Sequence, residues 1–282
     1  MPTKENSAPK VLAPTAGRLI ESLRDTGYTF PTAIADIVDN SISAEATIVK
    51  INLEQQFGGG PIFTIADNGK GMNAEELDKA MTYGSPLREN LKSLGKFGMG
   101  LKTASTSFCR KLTVISMQDG QLELRQWDLD LVAERNDWVL IEPDQEDYAE
   151  QIEILEEIAT KGSGTLIVWE NIDRLIRSVS EGTSSKNQIE KIIEELREHL
   201  SGVFYNFLTP GGGYPDVQMF INEALLDPWD PFCRWLNDPA RDIKVEVNPN
   251  PIKVIRETNG KKEVLGEIVV NVYILPKSTE LT

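Results

Sequence analysis

Three short stretches of this chain combine residue types and spacings that can do chemistry. The first is Gly95 to Ser105, GKFGMGLKTAS, with Gly95, Gly98 and Gly100 inside six positions and Lys102 just beyond. Glycines spaced so closely permit φ > 0 and expose bare backbone N–H groups that a polyanion can approach. Leu101 to Phe108 reads as a helix, whose N-terminal end adds a positive partial charge. That is anion-binding chemistry, most simply for a nucleotide's phosphates, although a glycine loop that only caps a helix fits the same residues. The stretch is not a P-loop, because Leu101 is inserted before Lys102 and Pro86 to Leu94 is polar where a buried strand is needed.

The second stretch is Pro31 to Ala44, PTAIADIVDNSISA. Ile34, Ile37, Val38 and Ile42 form one apolar helical face, and Asp36 and Asn40 lie one turn apart on the other, flanked by Asp39 and Ser43. A carboxylate and a carboxamide stacked in this way form either a solvated face or a base beside a neutral magnesium ligand. The third stretch, Asp67-Asn68-Gly69-Lys70-Gly71-Met72, follows an apolar run from Pro61 to Ala66. It is either a turn closing a hairpin or a carboxylate placed to receive an amino group, with Met72 packing on a flat ring.

The elements that must position these residues follow from periodicity. Thr15 to Thr26 predicts a helix ending at Gly27, and Ala46 to Leu53 alternates as a strand. Asn73 with Glu76 has capping-box spacing for a helix running to Gly84, and Ser85 to Leu94 is polar and irregular, as a mobile lid should be. Leu112 to Met117 and Gln121 to Trp127 predict a hairpin across Asp119-Gly120. Pro143 to Thr160 predicts an acidic, solvated helix, Gly164 to Trp169 a strand, and Asn187 to Phe207 a long amphipathic helix ending before Pro210. His199 falls inside that helix, as a packing or capping residue.

A domain boundary is expected near residue 210, giving domains 1–210, with a loose N-terminal arm, and 211–282. The second reads as strands without a long helix, including an Asn259-Gly260 turn, and is expected to be incomplete because too little chain follows Pro276 to finish a core. A net charge of −15 argues against phosphodiester binding by this acidic chain itself. Cys109 and Cys233 are too few for a disulfide scaffold or zinc site, and no apolar run is long enough for a membrane span, so a cytoplasmic protein is expected.

Taken in order, the three stretches resemble the N, G1 and G2 boxes of the Bergerat-fold ATPases, the GHKL superfamily. Ala35 to Ser41, Asp67 to Met72, Tyr83-Gly84-Ser85 and Gly95 to Lys102 are most similar to its MORC-like branch and bacterial relatives. Gly98-Met99-Gly100-Leu101 departs from the RGEA expected of MutL. The resemblance covers roughly residues 15 to 235, with Gly164-Thr165 as the last box and Asp227-Pro228-Trp229-Asp230-Pro231 near the start of a transducer domain.

The resemblance implies an α/β (α+β) two-layer sandwich with a mixed, mostly antiparallel sheet, followed by a β-rich transducer-like domain. It implies ATP and Mg²⁺ as ligands, with Asn40 on the metal, Asp67 accepting from the adenine amino group beside Thr165, and Met72 on the ring. Gly69 and Gly71 shape that loop, while Gly95, Lys96, Phe97, Gly98, Met99, Gly100, Leu101 and Lys102 form a closing lid over the phosphates.

Asp36 stands where the family usually has a glutamate that polarises the attacking water. The missing methylene withdraws the carboxylate by about 1.3 Å, so hydrolysis is expected to be slow. The implied activity is an ATPase that drives homodimerisation of a molecular clamp in DNA-related or defence processes. A nucleotide-sensing module with little turnover that recruits effector partners is the alternative, and an α/β protein with no nucleotide is a third reading.

Overall fold

The computed structural model describes residues 14–56, 60–84, 100–175, 185–211, 213–230, 246–247, 252–258, 261–268 and 272–273. From the N-terminus come α1 (Ala16–Leu23), α2 (Phe30–Ser43), β1 (Ile48–Gln55), β2 (Pro61–Asp67), α3 (Ala74–Met81), α4 (Gly100–Thr106), β3 (Cys109–Gln118) and β4 (Gln121–Asp128). There follow α5 (Leu129–Arg135), a 3₁₀ turn (Gln145–Tyr148), α6 (Ala149–Ile158), β5 (Gly164–Ile172), α7 (Ser185–Val203), α8 (Tyr205–Leu208), β6 (Gln218–Ile221) and β7 (Ala224–Leu225).

Local chemistry sets the ends of these elements. Thr29 and Thr32 exchange hydrogen bonds as a capping box, with Pro31 in the first turn of α2. Asn73 and Glu76 form the same device at α3. Asp119 and Gly120 both have positive φ, the geometry of a type I′ hairpin turn, which joins β3 to β4 in register from Lys111↔Asp128 to Gln118↔Gln121. The helix α5 was not expected. Asp128 caps it, its carboxylate accepting from the backbone N–H groups of Asp130 and Leu131.

β1 to β7 make one mixed sheet in the order β4-β3-β5-β2-β1-β6-β7, antiparallel throughout except where β6 runs parallel to β1. The fold is therefore α/β with a mixed, mostly antiparallel sheet, as expected. Alternate strand residues point to opposite faces. Phe63, Ile65, Leu112, Val114, Trp127, Ile167 and Trp169 join the core that α1 to α5 and α7 cover. Ala66, Ile115, Met117, Leu166 and Val168 point the other way and are covered by Tyr148 and α6. The acidic α6 turns its apolar side inwards, with Leu155 and Ile158 buried against the sheet.

An aromatic group fixes α2 over the strands that matter most. Phe30, the first residue of α2, packs edge-on to Phe63 and Phe108 at 5.6 Å each, and Phe108 stacks on Trp169 at 6.0 Å. Burying each such ring contributes roughly 1.5–3 kcal/mol, so α2 is held against β2 and β5.

The chain divides into two compact units, Met1–Pro228 and Trp229–Thr282. The strand Gln218–Ile221, expected in the second domain, pairs with β1 and belongs to the first unit. The reason is apolar: Val217, Met219 and Ile221 are buried and complete the first core. In the second unit, β9 (Ile252–Thr258) and β10 (Lys261–Ile268) form an antiparallel hairpin with an irregularity between Val264 and Gly266. Its β8 (Glu246–Val247) pairs with β11 (Val272–Tyr273). The Asn259-Gly260 turn and residues 1–13 lie outside the described residues.

Candidate nucleotide site

The register of the sheet sets one end of the site. Asp67 of β2 pairs with Thr165 of β5, which pairs with Ser116 of β3, so three polar residues form a row across three strands. Each stands two positions from a residue of the helix-covered core (Ile65, Ile167 and Val114), so the row faces α2. Asp67 is buried; Ser41 of α2 donates to its Oδ2 at 2.7 Å and the Gly69 N–H to its Oδ1 at 2.9 Å. Burial pushes its carboxyl above the usual range, while the hydrogen bonds from Ser41, Gly69 and the Thr165 backbone pull it back only in part.

The loop after β2 is moulded around this carboxylate. Asn68 Oδ1 accepts from the backbone N–H groups of Thr47 and Ile48, and the Lys70 N–H donates to Ala44 O. The Met72 N–H donates to Ser116 Oγ at 2.9 Å, while Ser116 Oγ also contacts Thr165 Oγ1 at 3.1 Å. Two glycines make the path possible. A Cβ on Gly69 would stand 2.8 Å from Ala44 O and 2.9 Å from Asp67 Oδ1. On Gly71, at φ +66°, it would stand 1.8 Å from Met117 O. The second glycine of the D-x-G-x-G text is therefore required by backbone contact with β3, which a simple D-N-G turn does not demand.

The other end of the site is built from helices. Asp36 is half-buried on α2, and its Oδ2 accepts from Tyr28 Oη at 2.5 Å. One turn later the exposed Asn40 donates from Nδ2 to the Asp36 backbone carbonyl at 3.0 Å, which leaves Oδ1 as its outward oxygen. Asp39 beside them has a carboxyl raised by burial and by the charge of Asp36. Gly100, the first residue of α4, lies so close that a Cβ on it would be 3.9 Å from Asp36 Oδ2.

Two of the expected lid residues fall among the described residues. Lys102 is 1% exposed, and its Nζ donates to Ala80 O at 2.6 Å and lies 5.8 Å from the Tyr83 ring centre. In this conformation the last turn of α3 leaves carbonyls to be satisfied and the buried ammonium does so. Leu101 packs partly buried against the core. Gly95, Lys96, Phe97, Gly98 and Met99 lie outside the described residues. Thus Asp36, Asn40, Asp67, Gly69, Gly71, Met72, Gly100 and Thr165 stand where α2, α4 and the ends of β2 and β5 meet.

Residues 28–165 match the family model of histidine kinase-, DNA gyrase B- and HSP90-like ATPases. This segment belongs to the GHKL ATPase superfamily. The chain is 32% identical over 94 residues to Protein MICRORCHIDIA 7 of Arabidopsis thaliana, covering 32% of this chain and 13% of that protein. It is 32% identical over 89 residues to ATPase morc-1 of Caenorhabditis elegans, covering 32% and 10%. To the DNA mismatch repair protein MutL of Shewanella sediminis it is 33% identical over 100 residues, covering 34% and 16%. The match spans no more than about a sixth of these relatives' length.

The residues of the GHKL segment fit an adenine nucleotide. A buried carboxylate whose donors do not offset its burial can accept a further hydrogen bond from an exocyclic amino group. The outward carboxamide oxygen of Asn40 is a neutral hard donor of the kind Mg²⁺ takes with several waters. Two cavities, about 340 and 390 Å³, are lined by Tyr148 and Glu170 on the α6 side of the sheet and share none of these residues. Tyr148 there is already satisfied by Thr113, Gln126 and Glu170. Sequence reasoning missed Ser116 and Tyr28. Ser116 is legible only through strand register, and Tyr28 only through the fold-back of the residue before the N-cap. No helix among the described residues is long and apolar enough to cross a membrane.

Proposed function

We propose that this protein binds ATP with Mg²⁺ and hydrolyses it slowly, using closure of the Gly95–Lys102 stretch to drive homodimerisation of a cytoplasmic molecular clamp. The observation that carries the reading is the buried, incompletely compensated Asp67 in a row with Thr165 and Ser116, directly below the helix that presents Asp36 and Asn40.

In this reading Asp67 accepts from the adenine amino group and Met72 packs on the ring. Asn40 holds the metal, which when bound neutralises phosphate charge. Asp36 takes the proton of the attacking water, and the backbone of Gly95 to Gly100 binds the phosphates. The second compact unit serves as a transducer-like element. With a net charge of −15 the chain itself does not grip DNA. Participation in DNA-related or defence processes is inferred from the MORC and MutL likeness.

The reading is tested by calorimetric titration with a non-hydrolysable ATP analogue and Mg²⁺, by size-exclusion chromatography with and without the analogue, and by turnover of radiolabelled ATP. Expected are binding, a shift to dimer, and slow turnover reduced to a small residue in Asp36→Ala and raised in Asp36→Glu. Binding without turnover selects the alternative, a nucleotide-sensing module that recruits effectors; Asp36, one methylene shorter than glutamate, favours it. Absence of binding at millimolar analogue removes both.

A further inference from the structure

Tyr28 occupies an unusual position for a tyrosine with a polar task. It follows Gly27, whose φ of +82° turns the chain out of the α1 region, and it immediately precedes Thr29, the N-cap of α2. An apolar residue in this place commonly staples the helix by packing on its first turns. The Tyr28 ring does pack partly buried against the core. Its hydroxyl reaches further, two turns into α2, and donates to Asp36 Oδ2 at 2.5 Å. The phenol oxygen in turn accepts from the side chain of Thr103. Thr103 is buried on α4, the helix that begins at Gly100 beside the same Asp36 oxygen.

The result is a directed chain, Thr103 hydroxyl to Tyr28 hydroxyl to Asp36 carboxylate. It fixes the carboxylate from one side, through Oδ2. Burial, then the bond to Asp36 and its charge, push the Tyr28 phenol up to about 12, so it remains a donor across the working pH range. A side chain that must act without the reach of a glutamate gains most from such restraint, since misplacement by about 1 Å can cost on the order of 10²-fold in rate.

We propose that Tyr28 is a positioning residue for the ATPase reaction, orienting Asp36 and coupling that orientation through Thr103 to helix α4. This rests on the ATPase reading above. α4 directly follows the glycine stretch in sequence, so a shift of its first turn changes the restraint on Asp36. Tyr28 itself touches neither the Asp67 row nor Asn40 in the hydrogen bonds of the described residues.

The test compares the full chain with Tyr28→Phe, which keeps the ring and removes only the hydroxyl. Expected is a fall in kcat of about tenfold or more, with KM and the affinity for a non-hydrolysable analogue within about twofold. In an Asp36→Ala background the same change is expected to leave residual turnover unaltered, because its route of action is gone. A purely structural role would lower thermal stability and affinity together and would persist in that background. If Tyr28→Phe does not fold, Thr103→Val, which removes the next donor in the chain, carries the same kcat-against-KM comparison. Wild-type turnover with an unchanged kcat in the folded variant overturns the positioning role alone. Absence of turnover and analogue binding in wild type overturns the ATPase reading and the positioning role with it.

Discussion

The two ends of the site are built by different means. At the Asp67 end, position is set by backbone: strand register aligns Asp67, Thr165 and Ser116, and Gly69 and Gly71 pass where no Cβ fits. At the Asp36 end, position is set by side chains on two helices, Tyr28 and Thr103 to Asp36, and Asn40 to the Asp36 carbonyl. A backbone-built end resists gradual change and fails abruptly, whereas a side-chain-built end can be tuned. Substitutions at the first are therefore expected to alter folding or binding, and at the second, turnover.

The largest effect expected from this contrast is at Gly71. Gly71→Ala sets a Cβ against Met117 O on a residue at φ +66°. Strain of about 1–3 kcal/mol adds to the clash, so a total loss above about 3 kcal/mol is expected in urea unfolding. A variant as stable as wild type would show that the loop is not held against β3. Gly120→Ala is the control: its φ is +78° but a Cβ there meets nothing within 4 Å, so it should cost only the strain.

Next in size is Asp67→Asn. The amide can still accept from the Gly69 N–H and can donate to Ser41 Oγ, whose hydroxyl rotates, so the fold is expected to survive. Removing a buried charge whose carboxyl is raised by desolvation leaves thermal stability near neutral pH unchanged or slightly higher. Analogue affinity is expected to fall about 10–100-fold, the worth of a hydrogen bond to a charged group. The sign with pH follows. Burial raises the Asp67 carboxyl above the usual carboxylate range, so as pH falls from neutral its protonation removes the acceptor and wild-type affinity weakens, while the weak binding of Asp67→Asn stays flat. A wild-type affinity independent of pH through that range would remove Asp67 as the adenine acceptor.

The same contrast explains what the sequence made legible. Asp67, Gly69 and Gly71 could be found because their constraints are local: a strand end, then glycines where backbone meets backbone. The helices were legible from periodicity and caps, as at Asn73-Glu76. Ser116 could not be singled out, since its role exists only once β3 lies beside β5. A lysine after a glycine loop reads as an anion ligand, and only packing reveals the Ala80 carbonyl that Lys102 meets in this conformation. The boundary near residue 210 took Pro210 and its glycines as a break between cores, but Met219 and Ile221 carry the first sheet across it.

Lys102 offers a smaller test of where the contrast ends. Lys102→Met retains most of the buried stem and loses the bond to Ala80 O. The expected outcome is a stability loss of about 1–3 kcal/mol from the orphaned carbonyl, with analogue affinity within about twofold. Loss of affinity beyond about tenfold would mean that the ammonium leaves α3 for the phosphates when nucleotide binds, and would extend the tunable end of the site to Lys102.

The smallest effect expected lies in alkaline solution and reports on the burial of the Tyr28 phenol together with its bond to Asp36. An unfolded tyrosine releases its proton near pH 10, whereas in the folded chain Tyr28 is pushed up to about 12. Between these values the native state holds a proton that the unfolded state has lost, so the contribution is complete below pH 10 and disappears as pH rises towards 12. Wild type should therefore lose stability more steeply than Tyr28→Phe across that window. Tyr83, Tyr148 and Cys109 are also raised, chiefly by burial, but they are common to both proteins and cancel in the difference. Parallel denaturation curves at pH 9, 10 and 11 measure it. Equal slopes for the two proteins would mean that the phenol is not held buried and hydrogen-bonded to Asp36 in solution.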